Sequence, residues 1–264
     1  MKRLLPLALL FVSAAAYAQL TAPAPQVLVP AAGAVGGLNG TFFRSDIAIY
    51  NFRNADQTVA LRWLPQGQSG AGTQLVLITI RALSGVISED FVTDFMHQSG
   101  LGAILVSAVN ADGSAIDPNG ALFVTSRIWS PQPDKPTGTV SQTFPTIDTA
   151  RINSSNIAIL GQRLSDKYRT NVGIVNLSNS QQTFQVLQNS DVESFAPIVE
   201  TVTVPALSMQ QIALPSVIPV TALQVRVSAT TAIGAGQWVA YGSTVDNVTG
   251  DSWSSLGQTI SVSP

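Results

Sequence analysis

"FFRSDIAIYN", residues 42–51, decides how the chain is read. Ile47, Ile49 and Asn51 alternate with Ala48 and Tyr50, the period of two of a β-strand. Arg44 and Asp46 break the pattern with two charges, which mark either a site or the seam of a fold. A second copy of the stretch weighs the two readings. "FRSDIAIYNFRNADQTV" (43–59) lies over "YRTNVGIVNLSNSQQTF" (168–184) at a constant offset of 125. Arg44 meets Arg169, Asp46 meets Asn171, Ile49 meets Ile174, Asn51 meets Asn176 and Gln57 meets Gln182. Diverged copies must both keep a fold and rarely both keep one specific site, so the charges read first as structure. In that reading each Arg bonds a nearby strand end and each Asp or Asn closes a turn.

The match continues in order with a shrinking offset. "TIRALS" (79–84) lies over "TVPALS" (203–208), "ILVSA" (104–108) over "VRVSA" (225–229), "GALFV" (120–124) over "GQWVA" (236–240) and "SQTF" (141–144) over "GQTI" (257–260). The chain is therefore an internal duplication. Val59, Leu61 and Trp63 alternate with Ala60 and Arg62. Phe184 and Val186 flank Gln185, Val202 and Val204 alternate with threonines, and Val225 and Val227 with Arg226 and Ser228. Each such strand is expected to put one face on a core and the other toward water. Turn-forming runs separate them: 54–57, 66–72, 110–114, 117–120 and 247–251. Residues 33–40 read as a glycine-rich turn, 130–138 as a loop between the last two strands of the first unit, and 88–96 as a brief helix with Ser88 as cap. The expected class is all-β: two tandem Ig-like antiparallel β-sandwiches, 19–149 and 150–264, behind a leader.

The leader is "MKRLLPLALLFVSAAAYAQL". Lys2 and Arg3 precede an apolar run from Leu4 to Ala15, and Ala16-Tyr17-Ala18 is a small-x-small cleavage site. Residues 1–18 read as a secretory signal peptide, and no later run is long enough to span a bilayer. Without Lys2 and Arg3, eleven basic residues face fifteen acidic ones, a net charge of −4. Nothing there is a footprint for nucleic acid. The chain has no cysteine, which excludes disulfides, thiolate catalysis and a lipid-modified N-terminal cysteine. The expected location is periplasm, cell surface or extracellular space.

Taken together, "GTFFRSDIAIYN", "VALRWLP", "LVLITIRALSG", "GALFVTSRIWS" and "GTVSQTFP", with "YRTNVGIVN", "TVTVPALS" and "VAYGSTVDNVTGD" in the second unit, resemble a group of secreted bacterial repeat proteins with Ig-like β-sandwich domains. The resemblance covers nearly the whole mature chain. It implies an exported sandwich repeat and implies no enzymatic activity.

Groups that carry chemistry are sparse. His97 is the only histidine. Asp94 and Ser99 are near it in sequence, but no G-x-S-x-G elbow exists. Glu89, Asp90 and Asp94 form one acidic cluster and Asp191 with Glu193 another; both read as capping or solvated loops rather than a glycosidase pair. Asp246, Asn247, Thr249 and Asp251 offer oxygen to calcium, yet the spacing is not that of a calcium loop and a hairpin turn explains the same letters. Neither a resident metal nor a cofactor is expected. Trp63 reads as core, and Trp238 as a core exchange for Leu122. Trp129 and Trp253, near loop ends, are candidates for a sugar platform or partner contact, as are Arg44, Asp46, Arg169 and Asn171. The leading expectation is an exported, non-enzymatic structural or interaction protein of the surface, matrix or adhesin kind, with an unidentified protein or polysaccharide partner. A carbohydrate-binding protein stands behind it, then a periplasmic pilus-type chaperone, then a secreted hydrolase.

Overall fold

The computed structural model describes residues 22–37, 40–132, 135–152, 156–189, 198–215, 220–230 and 237–259. The leader at 1–18 and the acidic pair Asp191 and Glu193 lie outside the described residues.

Among the described residues the first half holds nine strands: β1 (Gln26–Gly36), β2 (Phe42–Asn51), β3 (Gln57–Pro65), β4 (Val76–Ile80), β5 (Gly85–Ser88), β6 (Gly100–Val109), β7 (Leu122–Gln132), β8 (Lys135–Thr143) and β9 (Ile147–Asp148). One short helix, α1 (Phe91–Asp94), follows β5, and a 3-10 turn (Thr149–Arg151) follows β9. The second half repeats the series: β10 (Ile157–Leu164), β11 (Tyr168–Asn176), β12 (Gln182–Asn189), β13 (Ile198–Val204), β14 (Ser208–Ala213), β15 (Val220–Ala229), β16 (Trp238–Asp246), β17 (Ser252–Leu256) and β18 (Gln258–Thr259).

The strand orders repeat as well. In the first half β4-β3-β6-β1-β9 form one layer, here the first inner sheet, and β5-β2-β7-β8 form the first outer sheet. The far end of β1 crosses to pair with β2, so the two layers join as one folded sheet. In the second half β13-β12-β15-β10-β18 form the second outer sheet and β14-β11-β16-β17 the second inner sheet. Registers agree residue for residue. Asn51 faces Leu122 and Arg44 faces Trp129 across β2 and β7; Asn176 faces Trp238 and Arg169 faces Val245 across β11 and β16. Even the irregularity in β1 between Val29 and Ala32 returns in β10 between Ile159 and Gln162.

Each half has its own core between its two sheets. Val29, Ile47, Ile49, Leu61, Trp63, Ile104 and Val124 fill the first. Ile159, Ile174, Phe184, Val186, Val227 and Trp238 fill the second. Trp63 and Trp238 are both buried, as the sequence indicates.

The expectation of one wet face per strand fails for the inner sheets. A third core, with Leu28, Ala31, Leu64, Ala103 and Phe144 from the first half and Val175, Met209, Val239 and Tyr241 from the second, lies between them. The halves are therefore stacked face to face in four layers, outer–inner–inner–outer, rather than strung end to end. This is why β1 and β16 are buried at nearly every position, and why their sequences, "VLVPAAGAV" and "WVAYGST", barely alternate. Close approach needs missing side chains. A Cβ on Gly173 would sit 2.0 Å from the Tyr241 ring, and one on Gly70 would sit 2.1 Å from the Leu207 carbonyl oxygen. The 66–72 turn reaches across the junction. The Gly67 and Gly70 N–H groups donate to the Met209 and Ala206 carbonyls at 2.9 and 3.0 Å, and the Ser208 hydroxyl donates to the Pro65 carbonyl at 2.7 Å.

Local expectations are adjusted in three places. Gly33–Gly36 continue β1, so the glycine-rich turn is shorter than 33–40. Of the expected loop at 130–138, residues 130–132 belong to β7 and 135–138 to β8. Asp90, not Ser88, occupies the helix cap position; the Ser88 hydroxyl instead accepts the Asp90 N–H at 3.0 Å.

The duplicated asparagine explains why both copies keep it. Asn51 is fully buried; its Nδ2 donates to the carbonyls of Ala55, Ile80 and Arg81, and its Oδ1 accepts the Arg53 N–H. Asn176 makes the same set with Ser180, Val204, Pro205 and Ser178. Each side chain ties the end of its strand to two turns by donating to carbonyls that are buried or partly buried, the kind of group that needs a partner. The second of these turns holds a left-handed leucine in both halves, Leu83 at φ 49° and Leu207 at φ 48°. Their N–H groups donate to the equivalent carbonyls of Arg53 and Ser178, both at 2.9 Å. Replacing either asparagine by alanine is expected to lower unfolding free energy by about 3 kcal/mol, two or three orphaned carbonyls at about 1 kcal/mol or more each. Urea unfolding of Asn51→Ala and Asn176→Ala checks this; a loss below about 1 kcal/mol contradicts the assigned role.

Candidate functional site

The outward positions of the first outer sheet gather four of the sequence candidates or their partners. Along β2 they are Arg44, Asp46, Ala48 and Tyr50; along β7 they are Trp129, Arg127, Thr125 and Phe123, paired in that order. At one end the Arg44 Nε donates to the Asp90 carboxylate at 3.2 Å, and its guanidinium lies over the rings of Phe42 (4.9 Å) and Trp129 (5.6 Å). The Trp129 indole N–H donates to the Glu89 carbonyl at 2.8 Å. The cluster thus anchors the α1 turn onto the sheet. In the middle Asp46 accepts the Arg127 Nε–H at 2.8 Å, a cross-strand pair worth at most about 1 kcal/mol.

At the other end the face turns apolar. Tyr50 and Phe52 meet edge to face at 4.8 Å, and Phe52 meets Phe123 at 6.3 Å. Ile87 on edge strand β5 is 70% exposed and Phe52 is 50% exposed. A shallow groove of about 250 Å³ lies among Ala48, Tyr50, Gly85, Ile87, Phe123 and Thr125. Apart from the Tyr50 hydroxyl, already donated to the Leu83 carbonyl at 2.6 Å, its walls offer a ligand little polarity. Sequence reading missed this end because aromatic and β-branched residues are ordinary in strands. The available signal was that Tyr50, Phe123 and Ile87 all stand at outward positions, where polar residues belong.

The remaining candidates do not join this face. Arg169, the twin of Arg44, is exposed and donates to the Asn247 side chain at 2.6 Å. Asn171 stands mid-strand between Ala213 and Ser243. Neither Asp46 nor Asn171 closes a turn, which corrects the expectation for both: their position in the strand, not a loop end, sets their partners. Trp253 packs edge to face on Tyr168 at 5.9 Å, with Arg163 over both rings and its indole N–H on the Gly161 carbonyl at 2.8 Å. Both tryptophans sit in strands and are half-buried rather than free at loop ends.

His97 is exposed at a left-handed turn residue after α1, and the Asp94 carboxylate accepts from the Ser88 hydroxyl. Among the described residues no group of three or more His, Cys, Asp or Glu is placed to hold a metal ion. The 246–251 stretch forms the hairpin between β16 and β17. Asp246 Oδ1 accepts the N–H groups of Val248 and Thr249 at 2.7 and 3.1 Å, which holds its carboxyl below the ordinary carboxylate range. Burial pushes the Tyr241 phenol far above its ordinary range, so that side chain stays neutral; its hydroxyl donates to Gln211 Oε1 at 2.9 Å. Among the described residues no helix is long and apolar enough to cross a membrane.

No family model and no curated protein matches the chain. Among solved structures, the chain is similar to one described as the crystal structure of Thermotoga maritima 1070, at 11% identity and a TM-score of 0.34, over 41% of this chain and 96% of that one. It is also similar to Bacteroides uniformis beta-glucuronidase, at 8% identity and a TM-score of 0.17, over 83% of this chain and 26% of that one.

The Asp246 geometry gives a test. A lowered carboxyl adds stability above its ordinary pKa and loses it as pH falls through the lowered value. Asp246→Asn keeps the Oδ1 acceptor and removes the charge. The expected outcome is a thermal midpoint below wild type at neutral pH and a shallower loss on acidification below about pH 4, where the two proteins converge. Millimolar calcium is expected to leave the wild-type midpoint unchanged; a calcium-dependent rise abolished in Asp246→Asn contradicts the turn reading.

Proposed function

We propose that the protein is an exported, non-enzymatic interaction module, built from two Ig-like sandwiches and binding through the outward face of its first outer sheet. The observation that carries this reading is the apolar end of that face. Tyr50, Phe52 and Ile87 are exposed beside the half-buried Phe123, whereas Val175 and Val239, at the positions of Tyr50 and Phe123 in the second half, are buried. Exposed contiguous apolar surface on a folded chain marks an interaction site, and aromatic residues are the side chains that interface centres favour. Edge strand β5, only four residues long, lies beside the groove. Export is supported by the reading of residues 1–18. A non-enzymatic role is supported by the chemistry the candidates already perform: Asp90, Asp94, Asp46 and Asp246 are each engaged in local bonds. A polysaccharide partner fits less well, because the two candidate tryptophans have their indole N–H groups on backbone carbonyls and an arginine over the ring.

A photo-reactive residue placed at Ile87 tests this in the native host. The expected outcome is a discrete cross-linked adduct from position 87 and none from position 248, an exposed residue of the turn between β16 and β17. Absence of any adduct at 87 under every growth condition tried contradicts the reading.

A further inference from the structure

The duplication contains its own record of what such a face binds. The first outer sheet and the second inner sheet are twins, β5-β2-β7-β8 against β14-β11-β16-β17. The first inner sheet and the second outer sheet are twins too, β4-β3-β6-β1-β9 against β13-β12-β15-β10-β18. Inside the chain one member of each pair meets the other: the outward face of β11, β14 and β16 packs on that of β1, β3 and β6. Tyr50 and Phe123 therefore occupy the positions that Val175 and Val239 hold in the buried junction, and Gly85 that of Met209. Among the described residues one face of each kind is left unpartnered, at opposite ends of the four-layer stack.

The second unpartnered face is partly apolar. Across β10, β15, β12 and β13 its outward row reads Ala158, Arg226, Leu187 and Val199. The twin row in the buried junction contains Leu28, Leu105 and Arg62, so it too is aliphatic with a single arginine. Leu160 and Val199 are 55% and 53% exposed.

We propose that the first outer face of one copy docks on the second outer face of another copy of this chain, repeating between molecules the contact already made within one. This rests on the interaction-face reading above and names its partner. The two surfaces differ, so the contact is heterologous and leaves both kinds of face open at the ends. Such contacts propagate as open filaments or close as rings, and do not stop at a two-fold dimer.

Sedimentation velocity of the mature chain from micromolar to millimolar concentration tests the proposal, with Ile87→Lys blocking the first face and Leu187→Lys the second. Circular dichroism and the urea midpoint check that the variants fold, and Val199→Lys replaces Leu187→Lys if that variant does not. Wild type is expected to grow in mass with concentration beyond the dimer. Each variant alone is expected to stay monomeric, with association weakened at least about tenfold, as a lysine buried without a partner requires. Mixed in equal amounts, the two variants retain one good face each and are expected to stop at a one-to-one dimer. A wild type that is monomeric throughout overturns the proposal, as does a dimer that Leu187→Lys leaves intact. A monomeric wild type that still forms an adduct with a different protein at position 87 overturns self-stacking and leaves the interaction face standing.

Discussion

The packing of Tyr241 over Gly173, against Leu28, Leu64 and Ala103, is the contact on which the rest of the arrangement depends. It lets two sheets share one apolar layer. Removing water from both faces of an inner sheet requires apolar or small residues at nearly every position, and β1 and β16 show that composition. Among the polar atoms at the layer, the Tyr241 hydroxyl is satisfied by the Gln211 side chain and the Ser208 hydroxyl by the Pro65 carbonyl, as buried polar groups require. The 66–72 turn then closes over the seam through backbone bonds to Ala206 and Met209. β8 and β17 are joined at a neighbouring edge, where the Ser243 hydroxyl donates to Gln142 and the Ser254 hydroxyl to the Thr143 carbonyl.

Divergence after duplication is constrained unevenly by this contact. Inside each sandwich both copies keep the buried asparagine, the left-handed leucine and the hydroxyl of Ser45 or Thr170, which donates to the carbonyl of Gly33 or Arg163 on the neighbouring strand. On the outward faces the copies part. Ala48 and Thr125 in the first half correspond to Gly173 and Tyr241 in the second, an exchange that follows from the second face being covered by the first inner sheet while no described residues pack on the first. Arg44 and Arg169 are equivalent in register but not in chemistry: one binds Asp90 and Trp129 while the other reaches Asn247 in the 246–251 hairpin. The pair is therefore part of two different local structures rather than one repeated site.

Much of this was legible in the residues. The constant offset of 125 between the two copies of the β2 motif is the register that the sheets realise, and the inward set Ile47, Ile49 and Asn51 follows from period two alone. Asn51 and Asn176 carry a visible signal, since a buried-strand position repeated as asparagine asks for hydrogen-bond partners. The stacking of halves was not legible as a contact, because burial on a second face depends on a partner surface far away in sequence. Its trace was the loss of alternation in "VLVPAAGAV" and "WVAYGST". The roles of Asp46 and Asn171 were misread because turn propensity describes a residue in isolation, whereas Arg127 opposite Asp46 is a cross-strand fact. The apolar end of the first outer face was hidden for the converse reason: Tyr50, Phe123 and Ile87 look like good strand formers until it is seen that no layer among the described residues covers them.

The most direct test of the shared inner layer is native-state hydrogen exchange along a shallow denaturant series, read at the amides of β1 and β6 in one half and β11 and β16 in the other. A common middle core predicts that the most protected amides of both halves converge on one opening free energy with one denaturant dependence, of the size expected for exposing the whole chain. Two separate limits, each with the smaller denaturant dependence of a single half, would contradict it and describe two sandwiches that merely share a backbone.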